Sequence, residues 1–275
     1  MKILEIGGGL GNQIFGYAVY LYFKEKYPVE SIFGYYNKLH LKEHNGLEID
    51  KYFNVMLPVQ PFWADIVVGL LFILKKIFYV TRFVDTGGSG PIIKNENAIY
   101  ISAYRDNKKY IPKSKDWISF KIPELSERNI QILQDIRSTN SFFIHVRRGD
   151  YLSDKYKWLF DGCCTLDYYK KAISRVLQDY PDANFYLFSN DFEWCKENIN
   201  VKVTEVNWNT GNDSYLDMYL MSECKGGIIA NSTFSFWGAY LGREKTMVTY
   251  PLKWSNSPYG SCPNIFPESN NWIAL

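Results

Sequence analysis

The chain has 275 residues, of which 47% are hydrophobic, and this composition excludes a disordered protein and predicts a substantial folded core. Its 31 basic and 29 acidic residues give a net charge of +2 and are spread along the chain, so there is no basic stripe of the kind that nucleic acid binding needs. The five cysteines form no Cys-x-x-Cys pair and have an odd count, which indicates a reducing compartment and no structural metal.

The first predicted element is a strand, Lys2–Ile6, which leads through a glycine-rich turn into a helix that runs to about Tyr27. The turn matches neither the dinucleotide fingerprint, whose third glycine is replaced by Asn12, nor a P-loop. A tight turn that needs glycine for steric reasons alone is one interpretation. The other is a loop that lets a ligand approach the backbone and offers it two amide side chains, formed by Gly8, Gly9, Gly11, Asn12 and Gln13.

No signal-peptide region or membrane anchor precedes this strand, so we expect a cytoplasmic protein. From Ser31 to Lys121 the sequence has no clear periodicity, and the glycines of Gly87–Pro91 predict a flexible loop. The stretch Ile66–Val80 is apolar apart from two lysines, and its longest uncharged run is too short to span a bilayer. We expect a buried helix here; a helix that lies peripherally on the inner membrane is the alternative.

The second half of the chain alternates between strands and helices, after an amphipathic helix over Glu124–Arg137. Helices are predicted between the strands, including one over Thr165–Tyr180 with Thr165 as its N-cap. The alternation predicts an α/β fold, with a doubly wound parallel sheet in a C-terminal domain over 139–275 and an N-terminal α/β domain over 1–138. The predicted strands of the C-terminal domain are Phe142–Val146, Phe185–Phe188, Val201–Val206, Gly227–Ala230 and Met247–Tyr250.

Polar and charged side chains follow three of these strands, and in a parallel sheet such segments gather at one edge, where ligands bind. Arg147 and Arg148 carry guanidinium groups that suit a phosphate, and a helix begins among hydroxyl groups after the fourth strand. Groups after the second strand could read the edge of a purine such as guanine. Together they predict a pyrophosphate clamp formed by Arg147, Arg148, Ser232, Thr233 and Ser235, with Asn190 or Asp191 at the base.

Each of these groups also has a purely structural interpretation. Asp150 could neutralise one of the two arginines, and His145 could be a core residue of its strand. Ser232 is a natural helix N-cap, and Asp191 could cap the short helix that follows it. The convergence of three such segments favours the clamp over these separate explanations.

Three motifs resemble those of the α-1,2-fucosyltransferases, the glycosyltransferase family 11 group. They are Gly8-Gly-Leu-Gly-Asn-Gln13, His145-Val-Arg-Arg-Gly-Asp-Tyr151 and Asn231-Ser-Thr-Phe-Ser-Phe-Trp237, so the resemblance covers nearly the whole chain. It implies a GT-B-like fold of two Rossmann-like domains, with the acceptor on the N-terminal one and GDP-β-L-fucose on the C-terminal one. It further implies inverting transfer of L-fucose to the 2-hydroxyl of a terminal β-galactoside on a bacterial surface glycan, O-antigen or capsule, with no cofactor or required metal.

The same resemblance implies roles for individual residues. Arg147 would bind the β-phosphate, and Arg148 and Asp150 would hold the loop. Asp191 would recognise guanine. The residues that bind the GDP-fucose donor would be His145, Arg147, Arg148, Asn190, Asp191, Ser232, Thr233, Phe234 and Ser235. The predicted catalytic residues are Arg147, Asp150 and Asn12, of which Asn12 could orient the acceptor hydroxyl but cannot take its proton.

The general base stays open at this point. An adjacent arginine would lower the pKa of Asp150 and weaken it as a base, and Glu5 lies on the strand beneath the glycine turn. Two alternatives to the leading function also stay open: a fucosyltransferase of another linkage or acceptor, and a GDP-sugar-binding protein without turnover.

Overall fold

The computed structural model describes residues 1–85, 95–102, 107–257 and 262–275. The chain forms two compact units: residues 1–121 with 263–265, and residues 122–262 with 266–275. The first unit therefore ends before the helix Glu127–Ser138, whereas the sequence analysis placed the boundary after residue 138. The loop expected at Gly87–Pro91 lies outside the described residues.

The N-terminal unit contains a four-stranded parallel sheet in the order β2-β1-β4-β3. Each of the five residues of the first strand is buried, including the charged Lys2 and Glu5, and this strand lies inside the sheet between β2 and β4. The strands are β1 (Lys2–Ile6), β2 (Ile32–Tyr36), β3 (Val84–Asp85) and β4 (Tyr100–Ile101).

Two long helices flank this sheet. Helix α1 packs closely on β1, because a Cβ atom at Gly16 would lie 3.2 Å from the Glu5 carbonyl oxygen. On α4, Val68 and Leu71 join a core cluster with Ile3 of β1. The helices of the unit are α1 (Leu10–Lys26), α2 (Lys38–Lys42), α3 (Ile49–Tyr52) and α4 (Ala64–Phe78).

Helix α4 corrects one prediction. The sequence favoured a buried helix over Ile66–Val80, but the buried residues of α4 are Ala64, Val68 and Leu71, and most of its other apolar side chains are exposed. A run that is apolar all round does not say which of its faces the sheet covers. None of the helices in the described part of the chain is long and apolar enough to cross a membrane.

The C-terminal unit contains a six-stranded parallel sheet in the order β10-β9-β8-β5-β6-β7, which confirms the predicted architecture. Strand β5 lies between β6 and β8, with Ile144 beside both Leu187 and Ile228. The strands are β5 (Ser141–Val146), β6 (Asn184–Ser189), β7 (Val203–Val206), β8 (Gly226–Ile228), β9 (Met247–Tyr250) and β10 (Trp272–Ala274). The last of these was not predicted from the sequence.

Helices cover both faces of this sheet. Alternate residues of β5 face opposite sides, and both Phe142 and Phe143 are fully buried. Helices α7 and α8 pack on the face of Phe142, while Arg137 of α5 bonds Glu223 of α9 at 2.7 Å. The predicted N-cap is confirmed, since Thr165 accepts a hydrogen bond from the Tyr168 amide. The helices are α5 (Glu127–Ser138), α6 (Lys157–Phe160), α7 (Leu166–Asp179), α8 (Phe192–Asn198), α9 (Tyr215–Glu223) and α10 (Thr233–Tyr240).

Strand β8 owes its two glycines to close packing. A Cβ atom at Gly227 would lie 2.2 Å from Cε1 of Phe143, and one at Gly226 would lie 2.2 Å from Cε1 of Phe142. The two phenylalanine rings fill the space that side chains would occupy on either face of β8. This packing fixes β8 directly beside β5, and so fixes the segment that follows β8 beside the end of β5.

Candidate active site

Strand β5 ends in a charged pair. Arg147 donates from Nη2 to Asp150 at 2.8 Å and from Nε at 3.2 Å, in the two-pronged geometry that guanidinium and carboxylate groups favour. Burial alone would raise the pKa of Asp150, but the bonds from Arg147 and Asn190 lower it. Asp150 is therefore ionised and weakly basic. Its bonds take two of the five N–H donors of Arg147 and leave three for another anion.

The side chain of Asn190 holds the loop after β5. Its Oδ1 accepts hydrogen bonds from the backbone amides of Arg148 at 2.9 Å and Gly149 at 3.2 Å, and its Nδ2 donates to Asp150 at 3.2 Å. A Cβ atom at Gly149 would lie 3.0 Å from this Nδ2, so glycine allows the close approach. Asn190 thus positions the backbone and the carboxylate of the arginine loop. Its predicted role in recognising a purine base stays a prediction.

Arg148 is held by two neighbours from the segment after β6. Its Nε lies 3.3 Å from Oδ2 of Asp191, and its guanidinium lies over the Trp194 ring at 4.3 Å. Asp191 also accepts the Trp194 amide as the N-cap of α8, which was the structural interpretation of this residue. The sequence analysis did not identify the contact between the Trp194 ring and Arg148, because the capping aspartate predicts only the bond to the Trp194 amide.

The third segment, after β8, is tied by its polar groups to its surroundings. Ser232 caps α10 by accepting the Phe234 amide, and the buried Ser235 hydroxyl donates to carbonyl oxygens of Ala230 and Ser232. Phe234 places its ring 6.1 Å from the His145 ring. Thr233 is half-buried in the first turn of the helix. The structure brings all three predicted segments to the end of β5, but two of the three hydroxyl groups serve the fold.

His145 is the buried group beneath this edge. Burial and the positive charge of Arg147 lower the pKa of His145 to about 3, so the ring is neutral at physiological pH. Its backbone oxygen accepts the Tyr169 hydroxyl at 3.1 Å. Among the described residues, Nδ1 of His145 has no hydrogen-bond partner. The ring therefore has a donor or acceptor atom that the fold itself leaves unused.

A depression opens beside the two arginines. Tyr151 forms one wall: its ring stacks on the Phe160 ring with the centroids 4.0 Å apart, and the Arg147 guanidinium lies 4.8 Å from the centre of the Tyr151 ring. Its hydroxyl donates to the Asn231 carbonyl at 3.1 Å. The sequence analysis did not single out this aromatic wall. The lining residues are Arg147, Arg148, Tyr151, Leu152, Phe160, Asp161, Gly162, Cys164 and Asn231.

The glycine loop belongs to the N-terminal unit and is described on its own. The fully buried Gln13 donates to the carbonyls of Gly8 and Gly46, both at 2.9 Å, and accepts the Glu48 amide at 2.9 Å. It therefore ties the loop to the segment before α3. Gly8 has a φ of +75°, which favours glycine, and lies against the half-buried Asn12. Gly9 and Gly11 complete the loop at the start of α1.

Glu5 lies below this loop at the end of β1, and its carboxylate is buried. It accepts hydrogen bonds from Tyr100 Oη at 2.6 Å, Asn37 Nδ2 at 2.8 Å and His40 Nδ1 at 3.0 Å. Burial alone would raise the pKa of Glu5, but these bonds lower it, so the group is ionised. With its oxygens occupied, Glu5 is poorly placed as a general base. It instead holds the ring of the half-exposed His40 through Nδ1.

Comparison with known proteins identifies the family. The model described as glycosyl transferase family 11 matches residues 4–275. The alpha-1,2-colitosyltransferase of Escherichia coli is 29% identical over 273 residues, which cover 92% of this chain and 91% of that protein. The O-antigen biosynthesis glycosyltransferase WbnK of Escherichia coli is 27% identical over 90% of this chain and 93% of its own length. Galactoside alpha-(1,2)-fucosyltransferase 2 of Mus musculus is 32% identical over 42% of this chain and 34% of its own.

Solved structures support the fold. The fucosyltransferase NodZ from Bradyrhizobium superposes with a TM-score of 0.52 over 87% of this chain and 91% of NodZ, at 14% sequence identity. The structure of NodZ alpha-1,6-fucosyltransferase soaked with GDP-fucose gives a TM-score of 0.51. The GT-B-like α/β fold with two parallel sheets is thereby confirmed. Taken with the family match along almost the entire sequence, these findings make the chain a glycosyltransferase of family 11.

Proposed function

We propose that this glycosyltransferase moves L-fucose from GDP-β-L-fucose to the 2-hydroxyl of a terminal β-galactoside, with inversion and without a required metal, in the synthesis of a bacterial O-antigen or capsule. The observation that carries the proposal is the guanidinium group of Arg147, which is held at the end of β5 by Asp150 and keeps donors for an anion. The cytoplasmic location expected from the sequence belongs to the same proposal.

Electrostatics explain why Arg147 suits this reaction. As the glycosidic bond to the diphosphate breaks, negative charge grows on the β-phosphate, and a preorganised donor stabilises it. Charged hydrogen bonds contribute about 1.5–3 kcal/mol each, and removal of one such donor typically slows a reaction roughly 10²–10³-fold. Asp150 and the ring of Tyr151 hold the guanidinium before a ligand arrives, so the charge needs little reorganisation.

A second candidate donor follows from the comparisons. One full-length relative is named as a colitosyltransferase, and colitose is the 3-deoxy form of L-fucose. A site that bonds the 3-hydroxyl of fucose would reject colitose, whereas a site that packs an apolar side chain there would prefer it. The two donors therefore differ in one testable contact. Another linkage, another acceptor, or binding of a GDP-sugar without turnover are the remaining alternatives.

The deciding experiment incubates the protein with lactose and either GDP-fucose or GDP-colitose, with and without EDTA, and determines the product linkage by NMR. We expect an α-1,2-fucosylated product in both metal conditions. A product formed only from GDP-colitose would replace the proposed donor, and another linkage would replace the proposed regiochemistry. Binding of GDP-fucose without any product from a panel of galactosides would favour a protein without turnover.

Substitution of Arg147 tests the site itself. We expect Arg147→Ala to lower the rate roughly 10²–10³-fold. The matched control is Arg175→Ala, because Arg175 also donates from Nη2 and Nε to one aspartate, at 2.9 and 3.2 Å, here to a single oxygen of Asp179 on the exposed side of α7. A rate loss that is equal in both variants would contradict a specific role for Arg147.

A further inference from the structure

Helix α4 has two apolar faces, and the fold covers one of them. On the inner face, Val68 and Leu71 pack with Ile3 of the sheet. The outer face carries a stripe at the spacing of successive helical turns, and each member is between 40% and 66% exposed. This outer stripe consists of Ile66, Leu70, Ile73, Leu74 and Ile77. An exposed apolar surface of this kind marks an interaction site.

The ends of the helix carry the groups that suit a membrane surface. Phe62, which precedes α4, is 94% exposed, and Tyr79, which follows it, is 87% exposed. Aromatic rings favour the boundary between the headgroups and the acyl chains. The helix spans 15 residues, so it could lie in this boundary but not cross a bilayer.

The charged residues of the helix indicate the charge of the surface that it would contact. Lys75 and Lys76 lie in its last turn, whereas its one acidic residue, Asp65, lies in the first turn and pairs with Lys38 at 3.5 Å. The C-terminal end of the helix is thus cationic, and lysine stems can lie along apolar surface while their ammonium groups reach anionic headgroups. Contact with a second protein would not require these two lysines, whereas an anionic bilayer attracts their positive charge.

We propose that the outer stripe of α4 docks this enzyme on an anionic lipid bilayer, with the helix parallel to the membrane plane. The aliphatic side chains enter the boundary region, and the two lysines contact the headgroups. Because this inference uses α4 alone, it holds whichever donor and acceptor the enzyme takes.

The test is sedimentation of the purified full chain with lipid vesicles. We expect binding to vesicles of phosphatidylethanolamine with phosphatidylglycerol, and weaker binding to phosphatidylcholine. The triple variant Leu70→Gln, Ile73→Gln, Ile77→Gln should lower the vesicle association constant at least tenfold. The matched control replaces three exposed aliphatic side chains elsewhere, Val29→Gln, Ile122→Gln and Leu252→Gln, and should bind as the unmodified chain does.

The lysines give an independent measurement. Each lysine near an anionic surface strengthens binding about fivefold, so Lys75→Gln with Lys76→Gln should remove most of the preference for phosphatidylglycerol. Circular dichroism of every variant checks that the fold is retained. Failure of the unmodified chain to bind either vesicle, or unchanged binding of the triple variant, would overturn the proposal. So would a dimer in analytical ultracentrifugation that the triple variant alone dissociates, because the stripe would then be covered by a second copy.

Discussion

The two units treat an acidic side chain in opposite ways: the N-terminal unit favours ionisation of the buried Glu5, whereas the C-terminal unit disfavours ionisation of the partly exposed Asp217. In the N-terminal unit, Glu5 accepts hydrogen bonds from Tyr100, Asn37 and His40, and its pKa is lowered. In the C-terminal unit, Asp217 of α9 accepts a bond from Asn209 at 2.8 Å, and burial raises its pKa to about 7. The number of donors around a carboxyl group, more than its burial, decides whether the folded state holds it ionised.

The units differ in packing as well. Gly227 of β8 has no room for a side chain, because the ring of Phe143 occupies the space above it. For Gly69 of α4, no atom other than those of its chain neighbours and the surrounding helix backbone lies within 4 Å of the position that a Cβ would take. The site edge of the C-terminal unit thus depends on close steric fit, whereas the outer face of α4 is open. The same substitution should therefore have opposite effects in the two units.

Gly227→Ala should have the largest effect on stability. Overpacking of a full core costs about 3 kcal/mol, and Phe143 is completely buried, so its ring cannot move aside freely. Urea unfolding measures the loss. Combining the substitution with Phe143→Leu should restore part of the stability, and a strictly additive double variant would show that the ring contact is not the cause.

Glu5→Gln should lower the free energy of unfolding by about 2 kcal/mol at pH 7, because a charged acceptor of hydrogen bonds is replaced by a group with its own donors. The folded-state pKa lies below the ordinary 4.5, so the stabilisation by Glu5 is present above that pH and is lost as the pH falls through the folded-state pKa. Urea unfolding at several pH values should show the two proteins converging in acid. A constant difference at all pH values would contradict this account.

Asp217→Asn should instead stabilise the protein at pH 8. The folded-state pKa of about 7 lies above the ordinary 3.8, so the stability of the native chain falls as the pH rises between these values. Asp217 remains partly exposed, and we expect a gain of about 2 kcal/mol rather than the full value of the shift. The gain should vanish near pH 4. Equal gains at pH 4 and pH 8 would rule out titration of Asp217 as the source.

Gly69→Ala should have the smallest effect and the opposite sign to Gly227→Ala. Alanine in a helix interior is favoured over glycine by roughly 0.5–1 kcal/mol, and the new methyl group meets no neighbour. Thermal unfolding should show a small rise in the midpoint temperature. A fall would mean that the face of α4 around Gly69 is covered in solution.

The sequence predicted the C-terminal sheet and its edge well for a physical reason. Strands such as β5 and β6 are continuous apolar runs bounded by polar residues, and parallel topology places their following segments together. Short spacing also indicated the pairing of Asp150 with an arginine and the caps by Asp191 and Ser232, but the side-chain pairings between different segments were not predictable. Neither the bonds from Asn190 to the arginine loop nor the stacking of Arg148 on Trp194 leaves a periodic signal.

The N-terminal unit was predicted less well because its elements are short or unpatterned. Strands of two residues, β3 and β4, cannot show alternation, and the three-residue β10 of the other unit was missed for the same reason. The cluster around Glu5 joins residues from three separate strands and turns, so only the folded chain shows it. For α4, the apolar sequence predicted the helix but did not indicate which of its faces stays exposed.

The hydrogen bonds from the arginine loop to Asn190 have consequences for the rate constant and for the heat-capacity change of nucleotide-sugar binding. Fixing one flexible residue costs roughly 1–2 kcal/mol of entropy at room temperature, and here folding has already fixed the backbone at Arg148 and Gly149. Association need not wait for the loop to order, so no conformational step of this loop should limit its rate constant. The heat-capacity change on binding should then reflect the surface of the ligand, with no added contribution from coupled folding.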